Sequence, residues 1–554
     1  MKLSFIENEE THVSDTSDIN EPVIAPTAHV ASATVEQPKV SEAAFKGVFD
    51  ISDADGVNDS ERLLMRLCRR SFLSLWSFAN LHTDQDMRDG RGSAKEFADV
   101  LVVFGDDVVI FSDKHVVFQR DKPLDVAWRR WYKRAVEESA KQLHGAMNWA
   151  KRFPDRVFLD SACERQMPVP IPRADDARYH LVAVTRGSFE TCAEHFPGSL
   201  GTLQINTAVT GAAHGDTPFT VGLVSPDKAF VHVLDEFSLE FVLREMDTAS
   251  DFVSYLRDRQ AFLGTPDRTV WAAGEEQLLS AYLTNGNELG RNFLPRDSQR
   301  ESYDVVMFDE SYYEGLLAKP EYIAKKRLDE PSYAWDHMVE NFIRLGDPEL
   351  VAPGYGQDNS ETEKALRLIA GESRFRRRIL IDALRGLLKN AAGSNKRVAR
   401  VFTTEQDPEL VYVFLTLPKQ PDETYDEYRQ HRIAVLHAYC KCAKLRLPEG
   451  STFIGIALDH PDKDYRGASE DLFVYICEYL DGDAREEAER YRHELGILPD
   501  DRELKRMKSA EYPSFVTRAD TRIDPEKRRR VREEKTKRNR AKAAKASKRR
   551  NRRR

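Results

Sequence analysis

Apolar and polar positions alternate along the chain with two periods, and the switches between them mark its elements. From Glu61 to Trp76, Leu63, Leu64, Leu67, Phe72, Leu73 and Leu75 form a broad apolar face at helical spacing. A polar loop over His82–Ser93, with Gly90 and Gly92, follows. Two apolar runs, Asp99–Phe104 and Val108–Phe111, flank Gly105-Asp106-Asp107 and predict a β-hairpin, with Val116–Phe118 continuing the sheet. Trp128, Trp131, Tyr132, Ala135 and Val136 predict a long helix over Leu124–Arg152, ended by Phe153-Pro154.

Beyond it the pattern predicts strands at Tyr179–Val184, Phe219–Val224 and Ala229–Leu234, a short helix at Phe189–His195 and helix in two pieces over Leu239–Phe262. Helices dominate Ala272–Lys389, with polar loops near Asp297 and Asp358. A last α+β stretch has strands at Val398–Phe402, Leu410–Leu415, Thr452–Leu458 and Leu472–Cys477, and helices at Tyr425–Leu445 and Ala484–Leu495. The sequence shows no internal repeat. These patterns divide the chain into a disordered arm (1–55), an α/β domain (56–175), an α+β region (176–295), a mainly helical region (296–395), an α+β domain (396–500) and a linker with a basic tail (501–554).

Composition narrows the class. The 554 residues are 41% hydrophobic and 32% charged, enough for buried cores. No apolar run is long enough to span a bilayer, and Met1–Glu10 lacks the apolar segment of a secretory signal. Six scattered cysteines suit a reducing compartment, so a cytoplasmic protein is expected. The net charge of −9 conceals an asymmetry: from Lys527 to Arg554 there are 17 Lys and Arg against two acids, Glu533 and Glu534. Such a block marks an interaction segment, and Arg528, Arg529 and Arg530 stand near its start.

Candidate chemistry gathers in the first α/β block. Glu61 lies near the start of the first helix, Asp99 heads an apolar strand, and the hairpin returns Ser112-Asp113-Lys114 beside Asp99. Carboxylates and a lysine at one end of a sheet are the set that metal-assisted phosphodiester hydrolysis uses. Singly, each has a plain structural role: Glu61 suits a helix N-terminus, Asp99 a strand start, and Lys114 a strand end. The loop at Asp53-Ala54-Asp55-Gly56 is no calcium site, because Ile51 stands where the first ligand belongs. His431, His437, Cys440, Cys442 and Cys477 miss the usual zinc spacing and read as core or surface residues. Phosphate-loop, zinc-protease and serine-esterase motifs are missing from the sequence.

The order helix, Asp-bearing strand, hairpin, Lys-bearing strand, helix resembles the PD-(D/E)XK nuclease superfamily, in its restriction-endonuclease-like and nuclease-related-domain branches, over about residues 59–160. The resemblance implies that Glu61, Asp99, Asp113 and Lys114 are catalytic and that Glu96, Asp99 and Asp113 hold Mg²⁺ or Mn²⁺. It departs at Ser112, where the pattern has an acid. Alternation places Ser112 and Lys114 on one face and Asp113 on the other, so Asp113 serves only if a bulge re-aims it; Glu96 is the substitute. The fold expected is α/β and α+β multidomain, with a restriction-endonuclease-like α/β core, further α+β domains, a disordered N-terminal arm and a basic tail. The activity implied is metal-dependent nuclease action in genome defence or DNA processing. A non-enzymatic nucleic-acid-binding scaffold with a degenerate site is the alternative.

The expected partner is nucleic acid, DNA ahead of RNA. Arg130, Arg134 and Lys141 share a helix face and are candidates for phosphate contact, as are Arg528, Arg529 and Arg530 in the tail. Arg374, Arg376, Arg377 and Arg378 read as a solvated helix start.

Overall fold

The computed structural model describes residues 2–9, 49–87, 92–285, 290–295, 303–345, 359–462, 469–499 and 504–513. The elements, in chain order, begin with β1 (Lys2–Glu9), α1 (Asp59–Phe72), β2 (Ser77–Thr83), β3 (Lys95–Phe104), β4 (Asp107–His115), α2 (Leu124–Tyr132), α3 (Glu138–Arg152) and β5 (Arg178–Arg186). The middle holds α4 (Phe189–His195), β6 (Gln204–Thr210), β7 (Thr220–Leu223), β8 (Val231–Asp235), α5 (Glu236–Glu245), α6 (Ala249–Leu263), β9 (Thr269–Ala272), α7 (Glu275–Thr284) and β10 (Val305–Phe308). The remainder holds α8 (Ser311–Leu317), α9 (Pro320–Asp329), α10 (Tyr333–Leu345), α11 (Asn359–Ala370), α12 (Arg374–Ala391), β11 (Val398–Thr404), β12 (Asp407–Leu417), α13 (Tyr425–Arg446), β13 (Thr452–Asp459), β14 (Glu470–Ile476), α14 (Gly482–Glu494) and β15 (Lys505–Lys508).

Three mixed sheets organise these elements: β2-β3-β4-β5-β8, β10-β9-β6-β7 and β14-β13-β12-β11-β1-β15. In the first, β2, β3 and β4 are successively antiparallel, whereas β5 and β8 run parallel to β4. The parallel step from β4 to β5 needs a crossover, which α2 and α3 supply. This sheet runs through the expected boundary at residue 175, because β5 and β8 complete what the hairpin begins.

The hairpin is found where alternation placed it, and β2, over Ser77–Thr83, is an addition: its polar Asn80 and His82 hide the strand pattern. Val116–Phe118 is not a strand. In the expected N-terminal arm, Lys2–Glu9 forms β1, antiparallel to both β11 and β15; residues 10–48 lie outside the described residues. The loops near Asp297 and Asp358 and residues 514–554 also lie outside them.

The first sheet is covered on both faces. Leu101, Val103, Val108, Ile110, Leu181 and Ala183 pack under Ala140, Leu143 and Met147 of α3. On the other face Phe111 of β4 and Phe72 of α1 both pack on Phe252 of α6. The large core continues through Trp335, Ile369, Leu380 and Leu384 to Phe402, Tyr412, Phe414 and Ile454 of the third sheet. Two compact units are distinguished. The first holds all three sheets; the second, among the described residues, comprises 317–327 and 510–513, where Lys325 pairs with Glu511 at 3.7 Å. No helix among the described residues is long and apolar enough to cross a membrane.

Candidate metal and nucleic-acid site

The hairpin fixes the site. Strands β3 and β4 pair in register from Val100↔Phe111 to Phe104↔Asp107, and Gly105 takes the left-handed turn position at φ +63° that favours glycine. One step beyond the last pair, Asp99 stands opposite Ser112. Asp99 is buried, and its Oδ2 accepts a hydrogen bond from the Asp113 N–H at 2.5 Å. Burial pushes the Asp99 carboxyl up to about 6, against the pull of the Lys114 ammonium and the Asp113 N–H, and the carboxylates of Glu96 and Glu61 push it the same way. Asp99, Lys114, Glu96 and Glu61 are therefore electrostatic neighbours at one end of the sheet.

Their individual settings differ. Asn58 caps α1 by accepting the Glu61 N–H at 3.0 Å, while the Glu61 carboxylate accepts the Val57 N–H at 2.8 Å and the Asn58 amide. This reciprocal cap accounts for the hydrogen bonds of Glu61 without any catalytic role. The side chain lies against Gly56, where an added Cβ would come within 2.1 Å of the Glu61 Cβ. Glu96 is exposed. Leu81 pairs with Ala98 and His82 with Glu96, so Phe97 is a one-residue bulge in β3. Phe97 and Ala98 are both buried in one cluster, which breaks the alternation that would set Glu96 and Asp99 on opposite faces. Lys114 is half-buried and, among the described residues, makes no hydrogen bond or ion pair.

Asp113 departs from its expected part. Strand β4 pairs with β5 in unbroken register to His115↔Arg186, so no bulge re-aims Asp113. Its fully buried carboxylate is taken by Arg186, with Nε–Oδ1 at 2.9 Å. The Asp113 carboxylate, expected in catalysis or metal binding, is paired with Arg186, and its N–H holds Asp99. Ser112 is also engaged, its Oγ bonding Gln142 Oε1 at 3.3 Å and Ser139 Oγ at 3.4 Å on α3.

Two grooves flank the long helix. One, of about 390 Å³, is lined by Thr83, Lys95, Glu96, Glu138, Lys141 and Trp149 among others. The second, of about 290 Å³, is lined by Val116, Gln119, Arg130, Trp131, Lys133 and Arg134, and Glu138 borders both. Between α2 and α3 the helix takes a π turn over Lys133–Glu137. Its extra residue rotates α3 relative to α2, so the basic face expected from simple periodicity is divided: Arg130 and Arg134 line the second groove and Lys141 the first. Asp99 and Lys114 lie outside both linings. Glu138 and Gln142 were missed in the sequence because only the apolar face of this helix carries a strong periodic signal. The expected tail contacts at Arg528, Arg529 and Arg530 lie outside the described residues.

The other clusters are structural. Arg374, Arg377 and Arg378 are buried and paired, not solvated: Arg374 bonds Asp247 at 2.9 Å and Asp336 at 2.7 Å, Arg377 bonds Asp336 at 2.6 Å, and Arg378 bonds Asp329 at 3.0 Å. Cys440 and Cys442 are buried on α13, and burial pushes the Cys442 thiol up to about 12.

Among the described residues no group of three or more His, Cys, Asp or Glu side chains stands ready to hold a metal ion. That excludes a preassembled protein cage there, but Mg²⁺ commonly uses one or two carboxylates, with water and phosphate oxygens completing its shell. The hard oxygen donors of Asp99 and Glu96 fit that sparser demand. No protein-family model, no curated protein and no solved structure matches this chain.

Proposed function

We propose that the hairpin site hydrolyses phosphodiester bonds in nucleic acid, DNA ahead of RNA, with Mg²⁺ or Mn²⁺. The observation that carries this reading is the hairpin register, which sets Asp99 opposite Ser112 and two residues from Lys114 along β4, with the Phe97 bulge bringing Glu96 to the face of Asp99. The order of α1, three antiparallel strands, a crossover helix and a parallel strand is a second support for the PD-(D/E)XK reading, and the groove lined by Arg130, Lys133 and Arg134 past the end of β4 supports a phosphate-bearing substrate.

Each residue then has a defined task. Asp99 and Glu96 hold the ion, which when bound supplies charge stabilisation at the attacked phosphate. The Asp113 N–H orients Asp99. Lys114, without an ion pair among the described residues, offers its charge to the developing phosphorane oxygens. Glu61 caps α1 and adds negative potential near the ion. Arg130, Lys133 and Arg134 guide the backbone along the helix.

The test is cleavage of plasmid DNA, single-stranded DNA and RNA with either ion. Activity on at least one substrate, lost in Asp99→Ala and Lys114→Ala, is the expected result. A second reading, a nucleic-acid-binding scaffold, is favoured by one observation: Ser112 and the Asp113 carboxylate are both engaged internally, leaving the usual acidic position without a free carboxylate. Salt-sensitive binding without cleavage would select it.

A further inference from the structure

Four strands of the third sheet, β1, β11, β12 and β13, repeat the plan of β2, β3, β4 and β5; beyond them the sheets differ, β8 running parallel to β5 and β14 antiparallel to β13. In the first, β3 and β4 form a hairpin, α2 and α3 cross over, and β5 returns parallel to β4. In the third, β11 and β12 form a hairpin, α13 crosses over, and β13 returns parallel to β12. A two-residue turn closes both hairpins, Gly105-Asp106 in one and Glu405-Gln406 in the other.

The coverings correspond as well. The crossover helix α3 covers Leu101, Val103, Val108 and Ile110; α13 covers Val401, Val411, Val413 and Leu415. The helix preceding each hairpin contacts its strands, α1 with β3 and α12 with β11 and β12. On the α12 side lie the alternate residues Phe402, Tyr412, Phe414, Ile454 and Ile456. The slot beside the hairpin that β2 fills in the first sheet is filled in the third by β1, likewise antiparallel to its neighbour.

The site positions can be traced by register once the irregularity between Phe402 and Thr404, which places extra residues in β12 near its turn, is passed. Asp99 is five residues before the end of β3, and Ala399 is five before the end of β11. Asp99 stands opposite Ser112, and Ala399 pairs with Leu415. Lys114 is two beyond Ser112, and Leu417 two beyond Leu415. Ala399, Leu415 and Leu417 are all buried and apolar. Arg376 takes the third position of α12, as Glu61 does in α1.

We infer that the chain carries two copies of one core and that the C-terminal copy, completed by β1, is catalytically empty. Among the described residues one chain then has one hydrolytic site, and a chain acting alone on duplex DNA breaks one strand at each encounter. This consequence rests on the nuclease reading above.

The experiment follows supercoiled plasmid over time with the intact protein below the plasmid concentration, alongside Mn²⁺ binding to the wild type and Asp99→Asn by electron paramagnetic resonance. Nicked circles accumulating before linear DNA, with Mn²⁺ binding lost in Asp99→Asn, are expected. Linear DNA formed without a nicked intermediate by a chain that sediments as a monomer would overturn the single-site inference and leave the nuclease reading standing; Mn²⁺ binding that survives Asp99→Asn would overturn both the single-site inference and the assignment of Asp99 as the ligand. No cleavage and no Mn²⁺ binding by the wild type would overturn both.

Discussion

Asp99→Asn removes an ionisation that burial opposes and keeps the acceptor that the Asp113 N–H requires. The Asp99 carboxyl is raised from 3.8 to about 6. At about 1.4 kcal/mol per unit, ionising it in the folded state costs about 3 kcal/mol more than in the unfolded chain. A raised carboxyl contributes stability below its unfolded value, and that contribution disappears as pH rises through about 6. Asp99→Asn is therefore expected to be more stable than the wild type at pH 8, by up to about 3 kcal/mol, with the difference shrinking toward zero at pH 4. Urea denaturation followed by tryptophan fluorescence across this range measures it, because the other acids cancel in the comparison. Adding Mn²⁺ should narrow the gap at pH 8, since an ion held a hundredfold above its Kd stabilises only the chain that binds it, by about 2.7 kcal/mol. A variant less stable than the wild type at pH 8, or a gap that does not close on acidification, would refute the reasoning.

Three further outcomes are expected of the same structure. Arg186→Ala strands the buried Asp113 carboxylate and is expected to cost about 3–5 kcal/mol, whereas Arg186→Gln with Asp113→Asn should recover part of that loss in a double-mutant cycle. Arg130→Ala with Arg134→Ala should flatten the salt dependence of duplex DNA binding, lowering the slope of log K against log salt by about 1.8 if each side chain neutralises one phosphate; fluorescence anisotropy at several salt concentrations reads it. Ending the chain before Lys527 removes 17 cations and should flatten that slope further while low-salt cleavage persists; an unchanged slope would assign the tail another partner.

Local signals made much of this fold legible and long-range ones did not. The hairpin, the long tryptophan-bearing helix and the C-terminal strands arise from alternation, helical spacing and turn chemistry within short windows. Strand β2 escaped because it is polar for its position, and the Phe97 bulge because register belongs to a pair of strands. The engagement of Asp113 depends on Arg186, a residue on another strand. The arginines of α12 look solvated in sequence because their partners, Asp247, Asp329 and Asp336, lie on other elements. The second core was invisible for a related reason: topology repeats, but the residues that would mark a repeat, Asp99 and Lys114, are replaced by Ala399 and Leu417.

The proposed nuclease reading gives Asp99 a chemical role at a cost in stability. The most direct measurement is the Mn²⁺-dependent cleavage rate of the wild type beside that of Asp99→Asn, each preparation shown to be folded. The predicted result is cleavage by the wild type and its loss in a variant that is the more stable of the two at pH 8. Equal cleavage by both would contradict it.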